Sequence, residues 1–251
     1  MARGRWRVAW LVLMVGLSAA SRSVGAQTAA EILERMDRAI SGYQDQRMDV
    51  AMTVVDAGGS RKTYEFTIWQ KGTKKRLVRF HSGEMKGMST LVEDRDRVYV
   101  YLPAFRKVRR VAPHSMNQTF AGSDFTNEDM AGITWADAWN GVIEREDGEA
   151  WWLLCTPKPG MSSSSPKVRL KVQKGTFYQS MVEYLDQEGR PVRRMESSQL
   201  KTFPGGAERY SRVVLADLRT GHRTELEVRD FQVNQGLPDS AFSQRELEWG
   251  R

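Results

Sequence analysis

The chain has 251 residues, of which 40% are hydrophobic and 27% charged, and this composition excludes a wholly disordered protein. Its formal net charge is +7, but residues 1–26 contain four arginines and no acidic residue, so residues 27–251 carry only +3. A mild positive excess of this kind does not favour nucleic acid as a partner.

Residues 1–26 have the pattern of an export signal. Three arginines within the first seven residues precede an apolar stretch, Val8–Ala20. This order is typical of a signal peptide, and the stretch is too short to span a bilayer comfortably, which takes roughly 20 apolar residues. The small residues of "SVGA" predict cleavage after Ala26, so that the exported chain begins at Gln27 in the periplasm. A membrane anchor is the alternative.

The exported part is predicted to start with a helix. In "TAAEILERMDRAI" the apolar residues recur at spacings of three and four, which places them on one helical face. Thr28 followed by Glu31 fits a capping box at the start of this helix.

From Arg47 onward the hydrophobic period is two, which predicts strands. The first two strands centre on Met48–Val54 and Tyr64–Ile68, with "DAGGS" between them as a hairpin turn. Alternation and turn signals predict eleven more strand segments: Arg76–Phe80, Ser89–Glu93, Val98–Leu102, Lys107–Val111, Ala138–Arg145, Trp151–Thr156, Lys167–Gln173, Phe177–Asp186, Pro191–Lys201, Glu208–Asp217 and Arg223–Phe231. The single cysteine, Cys155, lies in one of them and is predicted to pack as a small apolar residue.

One helix followed by many antiparallel strands predicts a single domain over residues 27–251. The strands are interrupted once, by a long non-strand segment between about Ala112 and Asp137. Because a large antiparallel sheet must curl, split or close, an interruption in its middle is where a covering segment would lie.

Three motifs carry a resemblance to a known family: "YLPAFRKVRRVAP", "GSDFTNEDM" and the closing "LPDSAFSQRELE". Together they resemble the LolA-like outer-membrane lipoprotein-sorting proteins, in the subgroup associated with RND or MMPL-type transporters. The resemblance runs from Ala29 to Leu247. It implies a mainly β fold of the LolA/LolB type, an incomplete, half-open, strongly curved antiparallel β-barrel of about 11 strands with covering helices.

The resemblance also implies a function. Such a fold encloses an apolar cavity for the acyl chains of lipoproteins or lipids. We therefore expect a periplasmic carrier or chaperone that transfers them toward the outer membrane, with an RND or MMPL-type inner-membrane transporter as partner. The resemblance implies no metal, no cofactor and no catalytic residue, hence no enzyme. The alternative is a periplasmic sensor or adaptor domain that uses the same fold to bind a partner protein.

The central segment is predicted to cover an apolar surface. Thr126 with Asp129 fits a second capping box, so a short helix should start at "TNEDMAG". Five apolar residues around it would be costly if they faced water, and we predict that they form a lid: Phe120, Phe125, Met130, Ile133 and Trp135. A plain segment that closes the core and a catalytic loop remain alternatives.

The alternating apolar residues of the strands supply candidates for the lining of an acyl-chain cavity. We predict the lining residues Met52, Val54, Phe66, Ile68, Leu91, Val100, Leu102, Trp152 and Leu154. This choice of strand face is sensitive to register, since a shift of one residue moves every side chain to the opposite face.

Four cations form a basic row before the central segment: Arg106, Lys107, Arg109 and Arg110. One interpretation is a solvated edge strand whose charges discourage pairing between sheets. The other is a contact with lipid headgroups or with an acidic partner surface.

The carboxylates of Asp124 and Glu128 are the candidates for a hydrolase, which is the enzymatic alternative. Paired carboxylates can perform acid–base catalysis when their environments separate their pKa values, but helix capping explains the same acidic cluster. The three histidines lie apart from one another, outside any metal-ligand spacing. We therefore predict neither a catalytic residue nor a metal site.

Overall fold

The computed structural model describes residues 27–132, 134–161 and 163–249. The predicted signal peptide and its cleavage after Ala26 lie outside the described residues, as does Ile133 of the predicted lid. No helix within the described ranges has the length and apolarity that crossing a membrane requires.

Thirteen strands and four helices make up the described chain. The strands are β1 Asp45–Val55, β2 Arg61–Lys71, β3 Lys75–Phe80, β4 Ser89–Asp94, β5 Arg97–Leu102, β6 Lys107–Arg110, β7 Trp139–Glu146, β8 Ala150–Pro157, β9 Lys167–Gln173, β10 Gln179–Leu185, β11 Pro191–Thr202, β12 Glu208–Asp217 and β13 Arg223–Val233. The helices are α1 Ala29–Ser41, α2 Asn127–Ala131, α3 Trp135–Ala138 and α4 Gln244–Trp249.

All thirteen strands belong to one antiparallel sheet. Their order is β6-β5-β4-β3-β2-β1-β13-β12-β11-β10-β9-β8-β7, so β6 and β7 are its two free edges. These edges are consecutive in the chain, and residues 111–138 connect them. We call residues 112–138 the lid segment, because it leads from one edge of the curved sheet to the other.

The predicted fold class is confirmed: the protein is mainly β, with an open, curved antiparallel sheet and few helices. Each of the thirteen segments predicted from alternation overlaps one observed strand. The sheet therefore has two strands more than the number of about eleven implied by the family resemblance. The short helix α4 was not predicted from the sequence.

Helix α1 covers one half of the concave face. Both capping boxes predicted from the sequence are present, Thr28 with Glu31 at α1 and Thr126 with Asp129 at α2. On α1, Ile32, Leu33 and Met36 are fully buried against strands β8, β9, β10 and β12. Each such side chain stabilises the fold by roughly 1.5–3 kcal/mol, which fixes α1 on the sheet.

Cys155 belongs to the same cluster beneath α1, which confirms its predicted packing as an apolar residue. Burial raises the pKa of its thiol to about 12, with the negative charge of Glu144 adding to the shift. A thiol that stays protonated under physiological conditions is a poor nucleophile. Cys155 is therefore structural.

The C-terminal segment covers part of the outer face. Phe242 and Leu247 are buried against Leu77 and Leu91 of strands β3 and β4. These strands consequently carry apolar side chains on both faces.

Candidate functional site

A cavity of ≈ 200 Å³ lies on the concave face, between α1, the lid segment and the sheet. Its walls combine the C-terminal half of α1, the lid segment, strands β3, β7, β8, β10 and β11, the turn between β4 and β5, and the loop after β8. The residues that border it are Asp37, Ile40, Ser41, Arg76, Arg95, Phe125, Glu128, Asp129, Gly132, Thr134, Trp135, Ala138, Trp139, Pro157, Met161, Ser163, Ser164, Gln179, Tyr184 and Met195. The cavity therefore has both an apolar wall and a polar one.

Aromatic rings dominate the apolar wall. Phe125 is buried and packs into the cluster beneath α1. Trp135 of α3 and Trp139 at the start of β7 pack together, with ring centroids 5.8 Å apart. Met195 of β11 packs against the same cluster. This wall can accept a hydrocarbon group, since its exposed atoms are aromatic or aliphatic carbons.

The lid segment is attached to the sheet through the carboxylate of Asp129. Its Oδ2 accepts hydrogen bonds from Thr126 at the start of α2 and, at 3.0 Å, from Nη1 of Arg193 on β11. Its Oδ1 accepts a hydrogen bond from the hydroxyl of Tyr184 on β10 at 3.0 Å. Burial raises the pKa of Tyr184 well above its ordinary value, so this hydroxyl remains a donor. Arg193 also donates to the carbonyl of Asp124 at 2.8 Å.

A second attachment involves Asp124 of the "GSDF" motif. Its Oδ2 accepts a hydrogen bond from the hydroxyl of Thr224 at 2.7 Å, and its Oδ1 lies 2.8 Å from Nδ1 of His222. Thr224 also accepts a hydrogen bond from the backbone N–H of Asp124. These contacts hold the middle of the lid segment against β13 and the turn before it.

The carboxylates predicted for the hydrolase alternative thus have structural partners. Besides the contacts of Asp124, Oε2 of Glu128 accepts a hydrogen bond from the backbone N–H of Ser164 at 2.9 Å. This bond ties α2 to the loop between β8 and β9. Within residues 27–132, 134–161 and 163–249, no cluster of three or more His, Cys, Asp or Glu side chains is arranged to hold a metal ion.

Arg76 on β3 contacts the C-terminal end of α2. Its Nη1 donates to the carbonyl of Met130 at 2.9 Å, and its Nε and Nη2 donate to Oε1 of Gln70. Burial, together with the charge of Arg209, lowers the pKa of Arg76 to about 10. Gly132 packs on the guanidinium so closely that an added Cβ would lie 2.3 Å from it. Glycine is required at this position for space and for its φ of 66°.

Asp37 of α1 holds the start of α3. Its two carboxylate oxygens accept hydrogen bonds from the backbone N–H groups of Trp135 at 2.9 Å and Ala136 at 2.7 Å. Burial raises the pKa of Asp37 to about 6, although the two hydrogen bonds oppose that shift. The residue therefore binds a proton more readily in the folded protein than in the unfolded chain, whose reference value is 3.8.

This raised pKa predicts a pH-dependent stability. Between about pH 4 and 6 the folded state holds a proton on Asp37 that the unfolded chain releases, so its contribution to stability increases on acidification and is lost as the pH rises through 6. We expect the free energy of unfolding of the wild type, relative to that of Asp37→Asn, to increase from pH 7 to pH 4, so that the wild type gains stability on acidification. Urea unfolding of both proteins at several pH values measures this difference. A difference that stays constant with pH would contradict the assignment.

Six of the nine predicted lining residues lie on the concave face: Met52, Val54, Phe66, Ile68, Val100 and Leu102. They form a cluster with Phe80 and Phe120, and none of them borders the ≈ 200 Å³ cavity. Their contact with a ligand stays a prediction.

The prediction is wrong for the other three lining residues, because they lie on the outer face. Leu91 packs with Phe242 and Leu247 of the C-terminal segment. On β8, the residues that pack into the cluster beneath α1 are Trp151, Leu153 and Cys155. Side chains alternate along a strand, so Trp152 and Leu154 point outward. The Trp152 ring lies there beneath the guanidinium of Arg145, 4.3 Å from the ring centroid.

Four of the five predicted lid residues are described. Phe125 and Trp135 border the cavity. Phe120 and Met130 pack onto the cluster of β1, β2 and β3. The fifth, Ile133, lies outside the described residues. Movement of this segment stays a prediction.

The basic row lies at the β5–β6 hairpin and along the edge strand β6. All four side chains, Arg106, Lys107, Arg109 and Arg110, are exposed. Lys107 and Arg109 pair in register with Leu102 and Val100, and are therefore on the concave side of the sheet edge. A contact with headgroups or a partner stays a prediction.

Six side chains described above as holding the lid segment were not predicted: Asp37, Arg76, Tyr184, Arg193, His222 and Thr224. Their contacts with the lid segment join residues 54 to 100 positions apart in the chain. Local patterns cannot reveal such pairs. The only local signal was the capping box, which placed Asp129 at a helix start but gave no indication of its partners on the sheet.

The comparisons with known proteins place this geometry in a family. A family model described as "Uncharacterized protein" matches residues 72–249, more than half of the chain. The chain belongs to this family. No curated protein matches it.

Solved structures give the family its fold. A DUF1329 family protein from Desulfovibrio piger superposes with a TM-score of 0.79 at 25% identity, over 87% of this chain and 97% of that one. A putative outer membrane lipoprotein-sorting protein domain from Vibrio parahaemolyticus superposes with a TM-score of 0.77 at 21% identity, over 87% of this chain and 97% of that one. A LolA superfamily protein from Nitrosomonas europaea superposes with a TM-score of 0.72 at 21% identity, over 88% of this chain and 99% of that one. The LolA-like fold predicted for this family member is confirmed.

Proposed function

We propose that the protein is a periplasmic carrier that shelters the acyl chains of lipoproteins or lipids between the curved sheet and the lid segment. It would transfer them toward the outer membrane in cooperation with an RND or MMPL-type inner-membrane transporter. Residues 1–26 would be its signal peptide and residues 27–251 a single lipid-binding domain. In this proposal the protein is a chaperone and not an enzyme.

The observation that carries the proposal is the cavity beneath the lid segment, whose cover is attached by polar contacts as well as by the apolar packing of Phe120 and Phe125. Asp129 and Asp124 attach the cover to the sheet through side-chain hydrogen bonds, and Arg76 attaches it through a backbone carbonyl. These polar contacts can exchange for water when the segment moves, whereas the packing of Phe120, Phe125 and Met130 has to be replaced by contacts with an entering acyl chain.

The backbone around α2 supports a moving cover. Ala121 and Gly122 precede α2 with φ values of 52° and 69°, and Gly132 follows it with a φ of 66°. Left-handed residues on both sides of a short helix are suitable hinges, since small residues absorb changes in backbone angles. The backbone of Ala121 is the most strained of the three, because Ala121 carries a Cβ.

The size of the cavity indicates why the cover has to move. An engineered apolar cavity of about 150 Å³ in another protein accepts benzene. The cavity here, at ≈ 200 Å³, accommodates a fragment of an acyl chain in the closed conformation. A 16-carbon chain gains on the order of 12 kcal/mol when it leaves water, at about 0.8 kcal/mol per methylene. Part of that free energy would offset the displacement of the lid segment from the concave cluster.

The similar structures support the proposed class of cargo. The Vibrio parahaemolyticus structure carries the name of an outer membrane lipoprotein-sorting protein domain, and it matches over 97% of its own length. The proposal also names a cargo (lipoprotein or lipid), a transporter and a direction of transfer. These three parts rest on the resemblance of the sequence motifs.

Titration of the purified protein, residues 27–251, with cis-parinaric acid tests the proposal. The fluorescence of this fatty acid rises when it enters an apolar site. We expect saturable binding near one molecule per chain, and displacement by a lysophospholipid. A signal that does not saturate, or that matches the signal of an unrelated globular protein, would overturn the carrier function.

A second candidate function is supported by the packing of the concave cluster. Phe66, Phe80 and Phe120 fill this region with their own side chains, as in a domain that binds a partner protein rather than a lipid. Such a sensor or adaptor would bind its partner equally well after all lipid has been extracted. A carrier, in contrast, would bind its transporter with an affinity that depends on whether lipid is bound.

A further inference from the structure

The β5–β6 hairpin ends in a protruding aromatic residue. The turn Pro103–Phe105 forms its tip, and Arg106 follows in the left-handed conformation with a φ of 50°. Phe105 is 63% exposed, the highest value among the large hydrophobic residues that the structure describes. Exposure of this extent at a turn carries no benefit for folding, since the ring buries little area.

Several cations lie near this ring in the chain or on the neighbouring turn. Arg106 and Lys107 follow it directly, and the guanidinium of Arg109 lies 5.8 Å from the ring centroid. Lys86 is exposed on the neighbouring turn, which reaches the hairpin where Gly87 approaches Pro103.

These cations have no anionic partners in the described part of the chain. The ion pairs there include none formed by Lys86, Arg106, Lys107, Arg109 or Arg110. Arg110 donates instead to the carbonyl of Asp96 at 2.8 Å. The acidic residues at the end of the adjacent strand β4, Glu93 and Asp94, are paired with Arg97. The hairpin therefore presents uncompensated positive charge around one exposed ring.

We propose that this hairpin is a docking site for an anionic phospholipid membrane. Phe105 would enter the interfacial region of the bilayer, and the cations would contact the phosphates around it. Aromatic rings favour this interfacial region, and each cation near an anionic surface adds attraction. A stable protein interface needs a much larger apolar patch than one ring, so a bilayer is the better match.

The docking site is separate from the cavity. None of the hairpin residues borders the cavity beneath the lid segment. Binding to vesicles therefore does not depend on the proposed carrier function, and a protein that failed to bind cis-parinaric acid would still dock. The membrane proposal goes beyond that function by naming the surface at which cargo is collected or delivered.

Co-sedimentation with vesicles tests the proposal. We expect residues 27–251 to bind vesicles of phosphatidylglycerol and phosphatidylethanolamine, and to bind phosphatidylcholine vesicles at least tenfold more weakly, a ratio of roughly the size expected for loss of several cation contacts. Phe105→Ser should weaken binding about tenfold. The double variant Arg106→Gln, Lys107→Gln should weaken it by a similar factor, about tenfold or more.

Matched controls lie at the opposite end of the strands. Leu200→Ser removes an apolar side chain that is 41% exposed, and Lys74→Gln with Lys201→Gln removes two exposed cations without touching the hairpin. Both control proteins should bind anionic vesicles like the wild type. Equal losses in the controls, equal binding to both vesicle types, or no vesicle binding would each overturn the proposal. Binding of the hairpin to an acidic protein in the absence of any vesicle affinity would assign the surface to a protein partner instead.

Discussion

Replacement of Arg193 by leucine is expected to destabilise the protein by about 3–5 kcal/mol and to release the lid segment. Arg193 and Asp129 form an ion pair at 3.0 Å whose side chains are only 11% and 14% exposed. Removal of the guanidinium leaves the carboxylate of Asp129 with Tyr184 as its remaining partner on the sheet. It also removes the hydrogen bond to the carbonyl of Asp124. A buried carboxylate without its cation is costly, because the interior solvates it poorly.

Urea unfolding measures the loss, and Arg190→Leu is the matched control. Arg190 pairs with Asp186 and Glu188 in the turn before β11, but its side chain is 73% exposed. An exposed pair contributes about 0–1 kcal/mol, so this substitution should have little effect. Amide hydrogen exchange adds a local readout. Exchange in residues 124–131 should accelerate in Arg193→Leu, while α1 remains protected.

A double-mutant cycle with Asp129→Asn isolates the pair. If the two side chains stabilise the lid segment together, the double variant should lose less than the sum of the single losses, by about 0.5–3 kcal/mol. Additive losses, or unchanged exchange of residues 124–131 in Arg193→Leu, would contradict the role of this pair in holding the lid.

The substitution Ser164→Trp is expected to weaken the binding of cis-parinaric acid strongly. Ser164 borders the cavity from the loop after β8, and its side chain is exposed. The hydrogen bond to Glu128 uses the backbone N–H of Ser164, so the substitution preserves it. An indole at this position would occupy much of the ≈ 200 Å³ cavity and hinder an entering chain. We expect affinity for the fatty acid to fall at least tenfold, a loss of about 1.4 kcal/mol or more.

Ser198→Trp is the control for the added indole. Ser198 is an exposed residue of β11 outside the cavity, and a strand tolerates an aromatic residue there. Its fatty-acid affinity should equal that of the wild type. If Ser164→Trp also bound normally, with its stability unchanged, the cavity beneath the lid segment would not be the binding site.

The sequence predicted the elements well because their signals are local. Alternation located every strand, and two capping boxes located the starts of α1 and α2. The face of a strand was predictable only where one face is polar. Leu91 was misassigned because both faces of β4 are buried, one of them beneath the C-terminal segment.

On β8 the reason for the misassignment was different. Every residue from Ala150 to Cys155 is apolar, so the pattern gave no polarity with which to choose a face. The structure shows that Trp151 and Leu153 meet α1, and that the outward Trp152 is shielded by Arg145. Long basic side chains thus cover an outer aromatic ring, which the hydrophobic pattern alone cannot anticipate.

The site itself was the least predictable part. Its walls come from α1, the lid segment and strands that are distant in sequence. Curvature of the sheet brings them together, and residue patterns do not encode its extent. The predicted lid residues Phe125 and Trp135 do border the cavity, because amphipathic segments reveal their apolar residues locally.

Mass spectrometry of the protein isolated from its own compartment tests the central claim most directly. The protein should be purified without detergent, measured intact under native conditions, and extracted with organic solvent. We expect a fraction of the molecules to carry an acylated lipid or lipopeptide, and this fraction to disappear in Ser164→Trp but persist in Ser198→Trp. Wild-type protein that is always free of lipid, and that takes none up from added phospholipid, would contradict the carrier function.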